Sequence, residues 1–467
     1  MRYIDFGNPG RVHFIGIGGI SMSGFAELLC TKGFTVTGSD SKESKITKRL
    51  EALGIRIFYG NRAENIPADC DVVVYTAAVK PDNPERLAAA ERGIPSIERS
   101  GLVGDVMLHY KRNFSVAGTH GKTTTTSMLS LVALQAGLDP TISVGGVLDA
   151  IEGNMRNGGP DNFIIESCEY SDSFLHFHPT HAIITNVEAE HLDYFKTLEN
   201  MRNSYRSFAE LIPSDGLLVI NKDIPDYTEL FNTVKCPVIT YGLGDSPADK
   251  GSAGSYYSAC EISYDDYDCG RYTLTCNGEK LGEITLSVPG EHNVSNSVAV
   301  AAMALSCGIS LDDIREGLSK FKGTERRFER KGEFNGVTVI DDYAHHPTEM
   351  RATLLAAQKC PHKKLWVVFQ PHTYSRTISF RQEICDALAL ADGIVLADIY
   401  AAREKDPGTI SSEMLANDIK IKNGKDVYYF PSFEKIEDFL RQNCSTGDML
   451  ITMGAGDVVN IGEALIK

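Results

Sequence analysis

Residues 113–124, Asn-Phe-Ser-Val-Ala-Gly-Thr-His-Gly-Lys-Thr-Thr, lead an apolar strand through a glycine-bearing loop into a helix-compatible run. Few local sequences constrain a fold so tightly. The loop presents backbone N–H groups, and the helix after it aims the positive end of its dipole at whatever the loop holds. Gly118, Thr119, His120, Gly121, Lys122, Thr123 and Thr124 therefore form a candidate polyphosphate cradle, in which Lys122 neutralises charge and Thr123 is placed to ligate Mg²⁺. The spacing departs from the usual G-x-x-x-x-G-K-[ST], because Val116 occupies the first glycine position. ATP is the expected ligand.

Two other segments also open with a strand. Residues 11–16 run into Gly16-Ile17-Gly18-Gly19-Ile20-Ser21, and Asp40 ends the next apolar run. This resembles G-x-G-x-x-G with Ser21 at the third glycine, which reads as a diphosphate on a helix N-terminus with Asp40 near a ribose; the pattern alone does not separate NAD from a UDP-sugar. After Gly323 another strand-first unit starts at residues 336–341. Alternating strands and helices imply parallel sheets covered by helices. Residues 256–288 instead alternate polar and apolar side chains between Gly and Asn-Gly turns, the signature of antiparallel strands. The expected chain is α/β with three domains, spanning residues 1–110, 111–325 and 326–467.

A chain of 467 residues is too long for one hydrophobic core, which agrees with several domains. The net charge of −16 argues against a nucleic-acid partner, since such binding rests on a basic surface. The N-terminal residues lack a signal-peptide pattern and no run is long and apolar enough for membrane insertion. The 11 cysteines include no C-x-x-C pair, which disfavours a disulfide framework and a zinc site and points to a reducing cytoplasm.

Carboxylates cluster where apolar runs end. Phe163-Ile-Ile-Glu166-Ser-Cys-Glu169 is one such place, and residues 182–186 lead into Val-Glu-Ala-Glu190-His191-Leu-Asp193. Catalytic groups of parallel sheets gather at these carboxyl ends, and oxygen donors suit Mg²⁺. His191 alone fits a capping or core role as well as ligation. His176 and His178 read as surface or packing residues. In the last third, Asp341-Asp342-Tyr343-Ala-His345-His346-Pro347, residues 369–377 and Gly454-Ala-Gly-Asp457 together suggest a substrate crevice. A nicotinamide oxidoreductase and a nucleotide-driven switch are the competing classes. The second phosphate loop counts against the first, and the two late polar clusters exceed what a switch needs.

Taken together, G-T-x-G-K-T, the strand-end glutamate, N-x-x-x-[DE]-H-x-D and His292-Asn293-Val-Ser-Asn296 resemble the Mur ligase family, in family order and along essentially the whole chain. The loop His120, with F-Q-P-H-T-Y-S-R-T and D-D-Y-A-H-H-P-T-E, is similar to the branch that adds L-alanine to UDP-N-acetylmuramate. The alternative is the recycling branch that adds an intact tripeptide. Ser21 and Glu190 depart from the family pattern, and residues 200–212 contain no lysine to be carbamylated.

The resemblance implies a Rossmann-like UDP-sugar domain, a central P-loop ATPase domain and a Rossmann-like C-terminal domain that closes over the amino acid. It places Gly16, Gly18, Gly19, Ile20, Asp40, Thr76, Arg99 and His120 at the UDP-sugar. ATP would meet residues 118–124 with His292, Asn293 and Asn296. Thr123, Glu169 and His191 would hold Mg²⁺, and Lys122 and Arg327 would face the phosphates. Tyr343, His345, His346 and Arg376 would bind the amino acid. The implied reaction passes through an acyl phosphate, with His345, His346 and Asp342 as candidate bases for the amine.

Overall fold

The computed structural model describes residues 3–244, 250–402 and 404–467. Five strands form the first sheet: β1 (Arg11–Ile15), β2 (Thr35–Asp40), β3 (Arg56–Tyr59), β4 (Val72–Tyr75) and β5 (Ser96–Glu98), in the order β3-β2-β1-β4-β5. All its pairings are parallel. The order reverses direction between β1 and β4, and a crevice opens at such a switch point beyond the carboxyl ends of the strands. The glycine turn after β1 and Thr76 after β4 flank that crevice.

The second sheet contains β6 (Arg112–Ala117), β7 (Thr141–Leu148), β8 (Gly153–Arg156), β9 (Asn162–Glu166), β10 (His181–Ile184), β11 (Leu217–Asn221), β12 (Val238–Leu243), β13 (Tyr256–Tyr264), β14 (Cys269–Cys276) and β15 (Glu279–Pro289). Its order is β15-β14-β13-β12-β11-β10-β6-β9-β7-β8. The strands from β12 to β7 pair in parallel, and β6 lies centrally between β10 and β9. Hydrogen bonds joining Ser258 to Thr275 and Thr273 to Glu261 show β13 and β14 running in opposite directions, as the alternating sequence implies.

The helix after β6, Lys122–Gln135, is buried along most of its length although it carries many small polar residues. Thr126 donates to the Lys122 carbonyl and Ser130 to that of Thr126, whereas the buried hydroxyls of Thr125 and Ser127 have no hydrogen-bond partner among the described residues.

The third sheet comprises β16 (Glu329–Phe334), β17 (Val337–Asp342), β18 (Leu365–Phe369), β19 (Gly393–Leu396), β20 (Val427–Tyr429) and β21 (Met449–Met453), ordered β16-β17-β21-β18-β19-β20. Only β16 is antiparallel. Apolar clusters cover both faces, one including Val367, Phe369 and Ile451, the other Val339, Val368 and Leu450. Each such side chain removed from water contributes about 1.5–3 kcal/mol. The helix Pro347–Lys359 starts sharply because Pro347 opens it, His346 caps it, Glu349 lies in its first turn and Lys359 in its last.

The chain divides into two compact units. One contains Met1–Ser258, Leu274–Leu281 and Asn296–Gly317; the other contains Ala259–Thr273, Gly282–Ser295 and Leu318–Lys467. No helix among the described residues is long and apolar enough to cross a membrane.

Candidate active site

In the first unit, the loop after β6 is held open by its neighbours. The backbone of Gly118 has φ +144°, and a Cβ there would lie 1.9 Å from the Thr185 hydroxyl at the end of β10. Only glycine fits. Gly121 has φ +79°, and its missing side chain lets Asn296 approach. Asn186 closes the other side, its Oδ1 accepting from the His120 N–H at 2.7 Å and its Nδ2 donating to the His120 carbonyl at 3.0 Å. The Thr119 hydroxyl is tied to the backbone of Glu188. The loop is therefore shaped by β10 before any ligand arrives.

Lys122 folds back over this loop. Its ammonium donates to the carbonyls of Gly118 (2.5 Å) and Thr119 (3.0 Å) and lies 2.9 Å from the Glu169 carboxylate. Burial works against its charge, but the carboxylates of Glu169 and Glu166 outweigh that and raise its pKa. The ammonium is thus fully charged where phosphate would sit.

Thr123 donates from its hydroxyl to Glu166 at 2.8 Å, and the same carboxylate oxygen accepts the Gly145 N–H at 2.8 Å. The family resemblance implies that Thr123 and Glu169 meet at Mg²⁺. The structure gives Thr123 to Glu166 and Lys122 to Glu169, because β9 lies beside β6 and ends level with the loop. Glu166 stands out in the sequence only as one of the carboxylates at the end of an apolar run.

His191 stands 3.8 Å from Glu169, with φ +53° at the start of the short helix Leu192–Phe195 and its ring 4.7 Å from that of Tyr170. A non-glycine residue held in this conformation stores strain and recurs at functional positions. The side chain of Asp193 lies outside the described residues. Thr123 and Glu166, joined by a hydrogen bond, and Glu169 and His191, 3.8 Å apart, bring mainly oxygen donors to the ends of these strands, and the fully buried Glu169 is paired with Lys122. These residues fit magnesium.

At the first sheet, Asp40 accepts the Gly18 N–H at 2.8 Å and the Ser41 N–H at 2.7 Å, while the Ser39 carbonyl accepts from Gly16 and Ile17. The expected ribose contact of Asp40 is accompanied by this role in shaping the glycine turn itself. Arg99 donates to the Ser21 hydroxyl at 3.2 Å, and Gly19 precedes the helix that begins at Ile20, a residue 57% exposed. The Thr76 hydroxyl accepts the Ala78 N–H. His176 and His178 are both exposed, with the His176 carbonyl lying against Gly104.

The second unit holds the other polar clusters. Arg326 donates to Asp341 (3.0 Å) and to the carbonyls of Gly456 (2.9 Å) and Gly454 (2.6 Å), fastening the loop after β21 to β17. Arg327 lies 5.3 Å over the Tyr343 ring and 3.6 Å from Glu349. Arg326, which carries no motif of its own, makes the contacts that hold the loop after β21 to β17. Asp342 is buried, its two oxygens accepting the N–H groups of Phe328 and Ala344, and burial pushes its pKa up to about 6. His292 is exposed, and its ring lies beside Gly290. Asn293 donates to the Pro289 carbonyl at 2.7 Å.

His345 Nδ1 lies 3.0 Å from the Tyr343 carbonyl and 3.6 Å from Glu349. His346 caps its helix and meets the Phe380 ring edge-on at 4.7 Å. Arg376 Nη1 lies 2.9 Å from His372 Nδ1. His345, His372, Arg376 and Tyr400 therefore gather at the carboxyl ends of β17, β18 and β19. His372 stood in a quoted motif without a role, and Tyr400 had no sequence signal.

Three family descriptions match the chain in succession: the catalytic domain of the Mur ligase family at residues 11–111, the Mur ligase middle domain at 116–304 and the Mur ligase glutamate ligase domain at 326–456. A UDP-N-acetylmuramate–L-alanine ligase of Lachnoclostridium phytofermentans is 55% identical over 469 residues, covering 100% of both chains. One from Lachnospira eligens is 53% identical, again over 100% of each. The crystal structure of the UDP-N-acetylmuramate–alanine ligase of Thermotoga maritima superposes with a TM-score of 0.80 at 31% identity, covering 98% of each chain. A murein peptide ligase of Psychrobacter arcticus gives 0.71 at 25% identity, covering 97% of this chain and 98% of its own. With its three sheets, its phosphate-type loop and these matches in order along its length, the chain belongs to the Mur ligase family.

Proposed function

We propose that this chain is a cytoplasmic, ATP-dependent ligase that joins L-alanine to the carboxylate of UDP-N-acetylmuramate in peptidoglycan precursor synthesis. The observation that carries the reading is the Lys122 ammonium, seated in the loop after β6 against Glu169, in a chain more than half identical to ligases of that name. Residues 1–110 bind the UDP-sugar, 111–325 bind ATP and 326–467 supply the amino-acid site. The tripeptide-adding alternative has weaker support, since two tripeptide-adding ligases are 25% and 30% identical against 55% for the L-alanine ligase.

A carboxylate is a poor electrophile. One of its oxygens attacks the γ-phosphorus of ATP, ADP leaves, and the acyl phosphate that results is open to the alanine amine. Nitrogen then attacks the acyl carbon, the bond to phosphate breaks, and inorganic phosphate departs. Lys122 and the backbone N–H groups of residues 118–124 bind the phosphates and neutralise their charge, which is most of what phosphoryl transfer requires. Thr123, Glu166, Glu169 and His191 would hold magnesium, which supplies further neutralisation when bound. Asn296 borders the loop where the nucleotide lies.

The amine must shed a proton. Asp342 holds two backbone N–H groups with its two oxygens and therefore serves the shape of the turn. His345 suits the task better. Its Nδ1 points to the Tyr343 carbonyl, so Nδ1 carries the proton and Nε2 the lone pair, while Glu349 stabilises the cation that forms. Arg376 takes the amino acid's carboxylate. The reading is tested by ADP release: it must require the UDP-sugar and L-alanine together, and release driven by either alone would refute it.

A further inference from the structure

Three parallel strands of the third sheet each deliver one ring to the same place. His345 follows β17, His372 follows β18 and Tyr400 follows β19. The His372 ring meets His345 edge-on at 5.6 Å and stacks on Tyr400 at 5.6 Å with an interplanar angle of 13°. Its backbone is fixed as well, because Thr373 N–H donates to the Tyr400 carbonyl (2.9 Å) and Tyr400 N–H to that of Pro371 (2.8 Å). His372 is thus a held ring, with a defined place for each nitrogen.

One of those nitrogens meets a cation. Arg376 Nη1 lies 2.9 Å from His372 Nδ1 and 3.3 Å from the His372 carbonyl. Guanidinium has donors only, so Nδ1 must accept, and the imidazole is neutral with its proton on Nε2. A guanidinium is a rigid planar fork. Fixing one of its nitrogens against two acceptors of a single residue sets the plane in which the others point.

We infer that His372 is a positioning residue: its Nδ1 lone pair orients the Arg376 guanidinium for the carboxylate of the incoming amino acid. The inference rests on the reading in which Arg376 takes that carboxylate. His372 acts through Arg376, so its loss weakens amino-acid capture and leaves the phosphate chemistry alone.

The test uses two variants of the full-length chain. His372→Phe keeps a ring to stack on Tyr400 but has no acceptor, whereas His372→Asn loses the ring and keeps an acceptor near the Nδ1 place. The phenylalanine variant should raise KM for L-alanine about tenfold, the value of one hydrogen bond to a charged group. Its KM for ATP and UDP-N-acetylmuramate and its kcat should stay near wild type. Asparagine should recover most of the loss. In an Arg376→Ala background, adding His372→Phe should raise KM less than twofold further, as expected for two residues acting as a unit. Should the phenylalanine variant not fold, His372→Gln, whose amide reaches the Nε2 place instead, takes its part and must raise KM where asparagine does not. Equal losses in the ring-keeping and acceptor-keeping variants, or full additivity with Arg376→Ala, would overturn the inference. A wild-type chain that makes no alanyl product strikes the functional reading itself, before any variant is compared.

Discussion

The Lys122 ammonium lies 2.9 Å from the carboxylate of Glu169, a side chain with no exposure to solvent. A buried pair of this kind is costly to break, at about 3–5 kcal/mol when one partner is removed, because the other is left charged and alone. The family's chemistry offers a reason for tolerating it. When a polyphosphate enters the loop, the same ammonium has a second anion to meet.

Lys122→Ala should therefore lower turnover by roughly 10³-fold or more, the scale on which cations facing a transferred phosphoryl group act. Calorimetry should show UDP-N-acetylmuramate binding almost unchanged, since the glycine turn after β1 is untouched. Turnover close to wild type would remove Lys122 from the chemistry.

Glu166 and Glu169 make separable claims. Thr123 and Gly145 donate to the first, while Lys122 lies against the second. Glu169→Ala and Glu166→Ala should each shift half-maximal turnover to higher Mg²⁺, by about tenfold if one ligand of a hard cation is lost. A magnesium titration that superposes on wild type for either variant strikes that residue from the metal site.

How much of this was readable in advance depends on how local the cause is. Gly118, Gly121 and Lys122 were legible because strand, turn and helix lie within a dozen residues. The alternation in residues 256–288 announced β13 and β14 for the same reason. The bond from Thr123 to Glu166 was not legible, since it depends on β9 pairing beside β6. Arg326 and Arg327 are neighbours in sequence, and only the carbonyls of Gly454 and Gly456, more than a hundred residues away, tell them apart. The place of Asp40 at the end of β2 was legible from spacing, while its bond to Gly18 was not. Tyr400 follows β19 with no motif around it, so its place beside His372 emerges from sheet order alone.

His181 offers a prediction about acid. It begins β10, with Nδ1 2.8 Å from the Thr180 hydroxyl, and burial, then the charge of Arg112, lowers its pKa to about 4. Its unfolded value is near 6.5. The folded state thus binds fewer protons than the unfolded state between these limits, so stability rises with pH across that window and is lost as pH falls through it. Urea unfolding at about pH 7 and about pH 5 should show a smaller midpoint difference for His181→Asn than for wild type. An unchanged difference would show that the ring is not held neutral.

The central claim is that this chain forms the bond between UDP-N-acetylmuramate and L-alanine, and it is tested most directly by the product. Incubate the full-length protein with UDP-N-acetylmuramate, ATP and Mg²⁺ in a mixture of L-alanine, glycine, L-serine and the L-alanyl-γ-D-glutamyl-meso-diaminopimelate tripeptide, and identify the product by mass spectrometry. UDP-N-acetylmuramoyl-L-alanine should dominate, formed in step with ADP. A tripeptide adduct in its place, or ADP without any amide product, would contradict the account.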